Sequence, residues 1–183
     1  MKRELSKDLK KDSLMSLFEE ELLDMLDAEE QIVQALPNMI KSADSPELKD
    51  AFTTHLEETK NQVRRLEEIC NMINLREKGE TCEAMVGLIR ECKRVINDFP
   101  KSFVRDAALI SKAQRIEHYE ISAYGTLKTF AKLLDIDDAI DLLEDNQEEE
   151  VNADELLTQI AEGSLLTTGI NQKASRGSRN QYY

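Results

Sequence analysis

Four stretches of this sequence carry large apolar residues at alternating steps of three and four, and near the middle of each stripe the apolar residues give way to acids. Such spacing puts the residues on one face of an α-helix, the face that turns inward when helices pack. In the first stretch Phe18, Leu22, Met25, Ile32, Leu36 and Met39 form the stripe, and the step from Met25 to Ile32 passes through Glu29. In the second, Leu48, Ala51, Leu66, Ile69 and Ile73 enclose His55, Glu58 and Gln62. The third runs Ile110, Ala113, Glu117, Glu120 or Ile121, Tyr124 and Leu127; the fourth runs Leu143, Gln147, Glu150, Asp154, Leu157 and Ala161. An ionised carboxylate buried without a partner costs several kcal/mol even after relaxation. Acids at similar depth on four packed helices therefore demand a positive partner, and no Lys or Arg lies in the middle of these stripes. A bound pair of metal ions is the natural compensator.

Breakers and caps divide the chain around the stripes. Six Gly and three Pro in 183 residues, with no Trp, are too few for a turn-rich β sandwich or barrel. Leu, Ile, Ala, Glu and Lys, which lose little freedom in a helix, dominate instead. The first helix is predicted from Asp12 or Ser13 to about Ser42, with Pro37 kinking its last turn. Ser45 is the expected N-cap of the second helix, with Pro46 at its first position and an end near Asn74. A shorter amphipathic helix spans Cys82 to Phe99 and stops at Pro100. The third long helix covers about Ser102 to Leu134. The fourth starts near Asp135 or Asp137 and ends at Glu162, with Gly163 as left-handed cap. Two short links and one long connection with its own helix predict an all-α fold. It is a ferritin-like antiparallel four-helix bundle with one long crossover carrying an extra short helix. Residues 1–12 read as an N-terminal lead, 13–163 as the bundle and 164–183 as a flexible C-terminal tail.

The charge balance narrows the function classes. With 24 Lys and Arg against 37 Asp and Glu, the net charge of −13 offers no positive field for nucleic acid or for an anionic membrane. The one basic bias, Lys173, Arg176 and Arg179, lies among Gly, Ser, Asn and Gln, a composition that buries too little apolar surface to offset chain entropy. No run approaches the roughly 20 apolar residues of a membrane span, and MKRELSKDLKK is not followed by a signal-peptide core, so a cytoplasmic location is expected. Cys70, Cys82 and Cys92 are odd in number and lack a C-x-x-C spacing, which points to buried idle thiols.

Among the polar residues on the stripes, Glu29, Glu58 and Glu150 are the clearest metal ligands, because their stripes are unambiguous. Glu117 and Glu120 form an i,i+3 pair that can reach one site together, and periodicity does not rank them. His55 can coordinate beside Glu58, one turn on. Asp154, one turn after Glu150, serves as ligand or as hydrogen-bond acceptor behind one. Gln62 and Gln147 read as hydrogen-bonding neighbours, Tyr124 as core, and His118, one step off the seam, as an outer or surface residue. Glu19, Glu20, Glu148 and Glu149 read as solvated charge.

At this point the chain resembles the YciF/YciE-type branch of ferritin-like proteins, a family of bacterial stress-associated helical bundles. The resemblance is carried by LDAEEQIVQALPNMIKSA, SPELKDAFTTHLEETKNQVRRLEEI, EAMVGLI, VRDAALI, QRIEHYEISAYGTLKTFAKLL and EEEVNADELLTQIA, in order over residues 14–162. It implies a carboxylate-bridged dinuclear centre, often of iron, and commonly a dimer. It places the family's DAE on Asp27 to Glu29, its HLEET on His55 to Thr59, its EHYE on Glu117 to Glu120 and its final acidic motif on Glu149 to Asp154. The wider ferritin-like pattern of Glu-x-x-His on two helices is not kept: the second helix reverses it as His55-x-x-Glu58, and the fourth offers Glu150 and Asp154 with no His. Six carboxylates and one imidazole around two divalent ions would leave a charge of about −2. Hard oxygen donors suit iron or manganese. The expected function is a di-iron or di-manganese carboxylate protein, a ferroxidase or a consumer of peroxide or oxygen under stress. No catalytic residue is assigned. The competing reading is a non-enzymatic helical stress protein, a partner-binding homodimer whose metal site is structural or vestigial.

Overall fold

In a computed structural model of the protein, residues 13–76, 78–164 and 167–179 are described, and they form six helices joined by turns. The long ones are α1 (Leu14–Ser42), α2 (Pro46–Met72), α4 (Phe103–Leu133) and α5 (Asp137–Glu162); α3 (Glu83–Asp98) and α6 (Ile170–Arg179) are shorter. Caps chosen by the sequence start two of them. The Ser13 Oγ accepts from the Ser16 N–H at 3.1 Å, and the Ser102 Oγ accepts from the Arg105 N–H. Pro37 lies on an exposed face of α1, and the helix continues through it to Ser42.

Ser45 caps differently from expectation. Its side chain makes no cap bond; its N–H and that of Asp44 both donate to the carboxylate of Asp106, at 2.7 and 2.8 Å. Asp106 is fully buried, and the neighbouring Arg105 guanidinium donates to the Ser42 carbonyl. The first turn of α4 thus satisfies the backbone of the α1–α2 link, which otherwise would be buried with open donors. Asp27 of α1 performs the same service for α3, accepting from the Cys82 N–H at 2.8 Å. Tyr119 of α4 closes that corner, its hydroxyl donating to Asp24 and lying 3.1 Å from the Cys82 sulfur.

The long helices touch in a closed cycle: α1 with α2, α2 with α5, α5 with α4, and α4 with α1. Their side-chain partners fix the directions. Arg105 near the start of α4 meets Ser42 at the end of α1, while Tyr124 further along α4 meets Glu29 further back. Gln114 pairs with Asp154 and Lys128 with Glu144, and Arg65 meets Glu149. Neighbours in the cycle are therefore antiparallel, and α3, carried by the long α2–α4 connection, lies against α1 and α4. Phe18, Leu22, Ile32, Leu36, Leu48, Leu66, Leu109 and Leu143 are among the buried apolar residues of the interior. Cys70, Cys82 and Cys92 are buried free thiols. No described helix is long and apolar enough to cross a membrane.

Where composition alone gives a structureless tail, the described part of residues 164–183 folds. Gly163 adopts φ 84°, the glycine-favouring region expected of it, and bridges to Thr168. A Cβ on Gly163 would strike the backbone of Gly169, and one on Gly169 would strike that of Glu162. This close approach turns the chain into α6, whose Ile170 is fully buried, while Lys173 sits 5.4 Å from the centre of the Phe103 ring. One apolar anchor and two glycines override a polar composition. Residues 1–12, the expected N-terminal lead, and 180–183 lie outside the described residues.

Candidate metal centre

Four buried side chains from three helices converge in the interior. His55 of α2, Glu117 and Glu120 of α4 and Glu150 of α5 each offer one ligand atom, all within 4.8 Å of one another. The His55 Nε2 stands 3.4 Å from Glu117 Oε2 and 3.9 Å from Glu150 Oε2. The fourth helix, α1, adds Glu29, also fully buried. Each residue is there because its helix turns that face inward, and the i,i+3 pair Glu117 and Glu120 brings two carboxylates to one depth.

The donors are left open. Glu29 Oε2, both nitrogens of His55, Glu117 Oε2, both oxygens of Glu120 and Glu150 Oε2 are buried without a hydrogen-bond partner. Buried polar atoms are almost always paired, so a concentration of orphans marks a place for an unseen ligand or ion. Their chemistry fits metal: oxygen-rich with one imidazole, the set preferred by iron or manganese. Without cations the same burial forces protons onto the acids. Desolvation, then the Glu150 carboxylate, pushes Glu29 up to about 8. Glu120 rises well above the ordinary carboxylate range for the same two reasons, and Glu117 rises by burial against the opposing pull of His55. Burial works against a charged His55, but the carboxylates of Glu117 and Glu150 outweigh it and raise the imidazole to about 10.

Two of the acids are held on one oxygen only. The Tyr124 hydroxyl donates to Glu29 Oε1, and burial followed by the adjacent Glu29 charge keeps that phenol protonated. The Gln62 amide donates to Glu150 Oε1 and, at 3.1 Å, to Glu149 Oε2, leaving its own Oε1 buried and unpartnered. Glu149 is in turn gripped by Arg65 through two bonds of 2.8 Å, and Arg65 also donates to the buried Asn146. Such outer partners fix which oxygen a ligand presents.

The family DUF892, described as a domain of unknown function, matches residues 13–175. The chain belongs to the DUF892 family. Its relatives include the protein YciF of Escherichia coli, 42% identical over 154 residues that make up 84% of this chain and 90% of that one. The crystal structure of the E. coli stress protein YciF superposes with a TM-score of 0.78 at 41% identity, covering 81% of this chain and 94% of the other. YcfI from Rhodopseudomonas palustris superposes with a TM-score of 0.79 at 37% identity, covering 82% and 96%. The resemblance carried by HLEET and EHYE thus extends to an all-helical structure shared along most of the chain.

In this DUF892 chain the expected residues fall into distinct places. Glu29, His55, Glu117, Glu120 and Glu150 come together. Glu58 stands at the side, its side chain 36% exposed and its Oε2 3.7 Å from His55 Nδ1. Asp154 is not brought into the group: it accepts from Gln114 at 3.0 Å and faces the exposed His118 at 3.6 Å. Gln147 donates to the Ile121 carbonyl, on the α4–α5 seam. Glu149, read as solvated charge, is half-buried between Arg65 and Gln62, because its partner sits on another helix and leaves no trace in local spacing. Asn146 and Asp106 are buried polar residues that the stripes did not single out. Both replace an apolar residue at an inward position, the same signal that marked the acids.

Proposed function

We propose that this DUF892 protein is a ferritin-like four-helix bundle holding a pair of iron or manganese ions, and that it consumes a small oxidant or oxidises iron during stress. The observation that carries this reading is the set of seven buried, unpartnered donor atoms on Glu29, His55, Glu117, Glu120 and Glu150 at one depth of the core. Charge supports the number of ions. With Glu58 half-exposed and Asp154 engaged elsewhere, four buried carboxylates remain, and four negative charges balance two divalent cations.

Glu29, Glu117, Glu120, Glu150 and His55 would hold the ions, and Glu120, with both oxygens free, can serve both. Bound there, a redox-active pair supplies two electrons to an oxidant such as peroxide or oxygen. The chain supplies the rest. Tyr124 and Gln62 each keep one carboxylate oxygen occupied so that the other points to the ions, and Arg65 braces Gln62 through Glu149. The apolar residues of the surrounding helices keep bulk water out, which strengthens each charge interaction inside. Stress is named for the related YciF of E. coli and is extended to this chain here. A cytoplasmic location and a homodimer are part of the same proposal.

Elemental mass spectrometry on protein loaded anaerobically with iron or manganese tests the centre. About two ions per chain are expected, with loss in Glu120→Gln and Glu150→Ala; wild type without tightly held metal would refute it. The absence of a second histidine among the converging residues favours one other reading, a helical stress protein that acts through a partner and keeps a structural site. Metal-depleted Glu150→Ala protein that retains its stress phenotype would select that reading.

A further inference from the structure

The five converging residues are buried, and the surface comes nearest to two of them between α2 and α5. There a cleft of about 90 Å³ opens, and its lining includes His55 and Glu117. Ala51, Phe52, Ala153 and Leu157 form its walls, so the approach to a strongly acidic centre is apolar. Small side chains, Ala51 of α2 and Ala153 of α5, line it from both helices. Glu58 also lines the cleft, beside the His55 Nδ1 that has no hydrogen-bond partner.

The geometry points to this cleft as the entrance for a small, uncharged oxidant, selecting by size and charge. The inference rests on the metal centre proposed above. The space takes several molecules of water's size. Hydrogen peroxide and dioxygen, close to water in size, fit, and the proposal expects a bulky aryl-substituted hydroperoxide to be held back. Apolar walls favour neutral molecules because an anion entering them would lose its hydration, and the protein's net charge of −13 repels anions further.

Two variants of the walls test the entrance without touching a proposed ligand. Ala153→Phe narrows the cleft, and Leu156→Ala, at a 41% exposed lining position, widens its mouth. Metal content is measured first in every sample. Uptake of nitric oxide, a neutral diatomic probe, by anaerobically iron-loaded protein is then followed by absorbance, together with consumption of hydrogen peroxide and of cumene hydroperoxide. Ala153→Phe is expected to slow nitric oxide uptake and peroxide consumption by about tenfold or more at unchanged metal content. Leu156→Ala is expected to raise the rate with cumene hydroperoxide severalfold relative to hydrogen peroxide. Unchanged nitric oxide uptake in well-folded, metal-replete Ala153→Phe overturns the entrance and leaves the metal centre standing. Wild type that holds no metal overturns the centre and the entrance with it. Should Ala153→Phe lose its fold or its metal, Leu156→Ala decides: an unaltered preference between the two hydroperoxides overturns the entrance.

Discussion

Metal-free protein should lose stability as pH rises through neutrality, opposite to the common behaviour of salt-bridged acids. Glu29 is fully buried, and desolvation followed by the Glu150 charge raises it from 4.5 to about 8. Between these values the folded state holds a proton that the unfolded state has released, so stability falls with rising pH. The slope is about 1.4 kcal/mol per pH unit for one proton. From about pH 5.5 to about pH 7.5 Glu29 alone then removes about 3 kcal/mol, a large part of a typical net stability of roughly 5–15 kcal/mol. Glu117 and Glu120, also raised, act in the same direction. His55 joins them above its unfolded value of 6.5, since its folded value is about 10. The surface carboxyl of Glu91, lowered by its Lys112 hydrogen bond, titrates below this window. Urea unfolding of chelator-treated protein, followed by circular dichroism at the two pH values, measures the difference. A smaller free energy at the higher pH with unchanged denaturant slope is expected, and Glu29→Gln should flatten the trend by about one proton. Saturating Mn²⁺ should abolish it, because metal displaces those protons. Stability that stays level or climbs over this range would refute the reasoning.

Other outcomes follow from single contacts. Gln62→Leu removes the amide that orients Glu150 and should weaken metal binding about 10- to 100-fold in a Mn²⁺ titration, with little change in helix content. Asp106→Ala strips the acceptor from two backbone N–H groups and should cost about 3 kcal/mol in urea unfolding. Gly163→Ala forces a side chain into a φ of 84° and against Gly169, and should cost about 1–3 kcal/mol. Hydrogen exchange would localise that loss to α6; uniform loss across the chain would contradict the anchoring role.

Helix identity was legible because period and breakers act locally: the Phe18 to Met39 stripe, Ser13, Pro46 and Gly163 all mark the chain within a few residues. The acids could be read for the same reason, since Glu29, Glu117, Glu120 and Glu150 each stand where an apolar residue belongs. The ambiguity lay in α5. Steps of three and of four are both helical, so Asn146 and Gln147, or Asp154 and its neighbours, compete equally for one seam until a partner helix chooses. Packing chose Asn146 and turned Asp154 toward Gln114. The tail shows the reverse error, where the average composition hid one buried isoleucine.

Side-chain order along one chain thus sets the helices, their inward faces and the presence of buried acids. Packing between helices settles which acids meet, that Glu58 borders a cleft instead of the interior, and that Tyr124, Gln62 and Arg65 hold the others in place. Those relations join residues up to 95 positions apart, and their energy exists only once α1, α2, α4 and α5 have closed around one another.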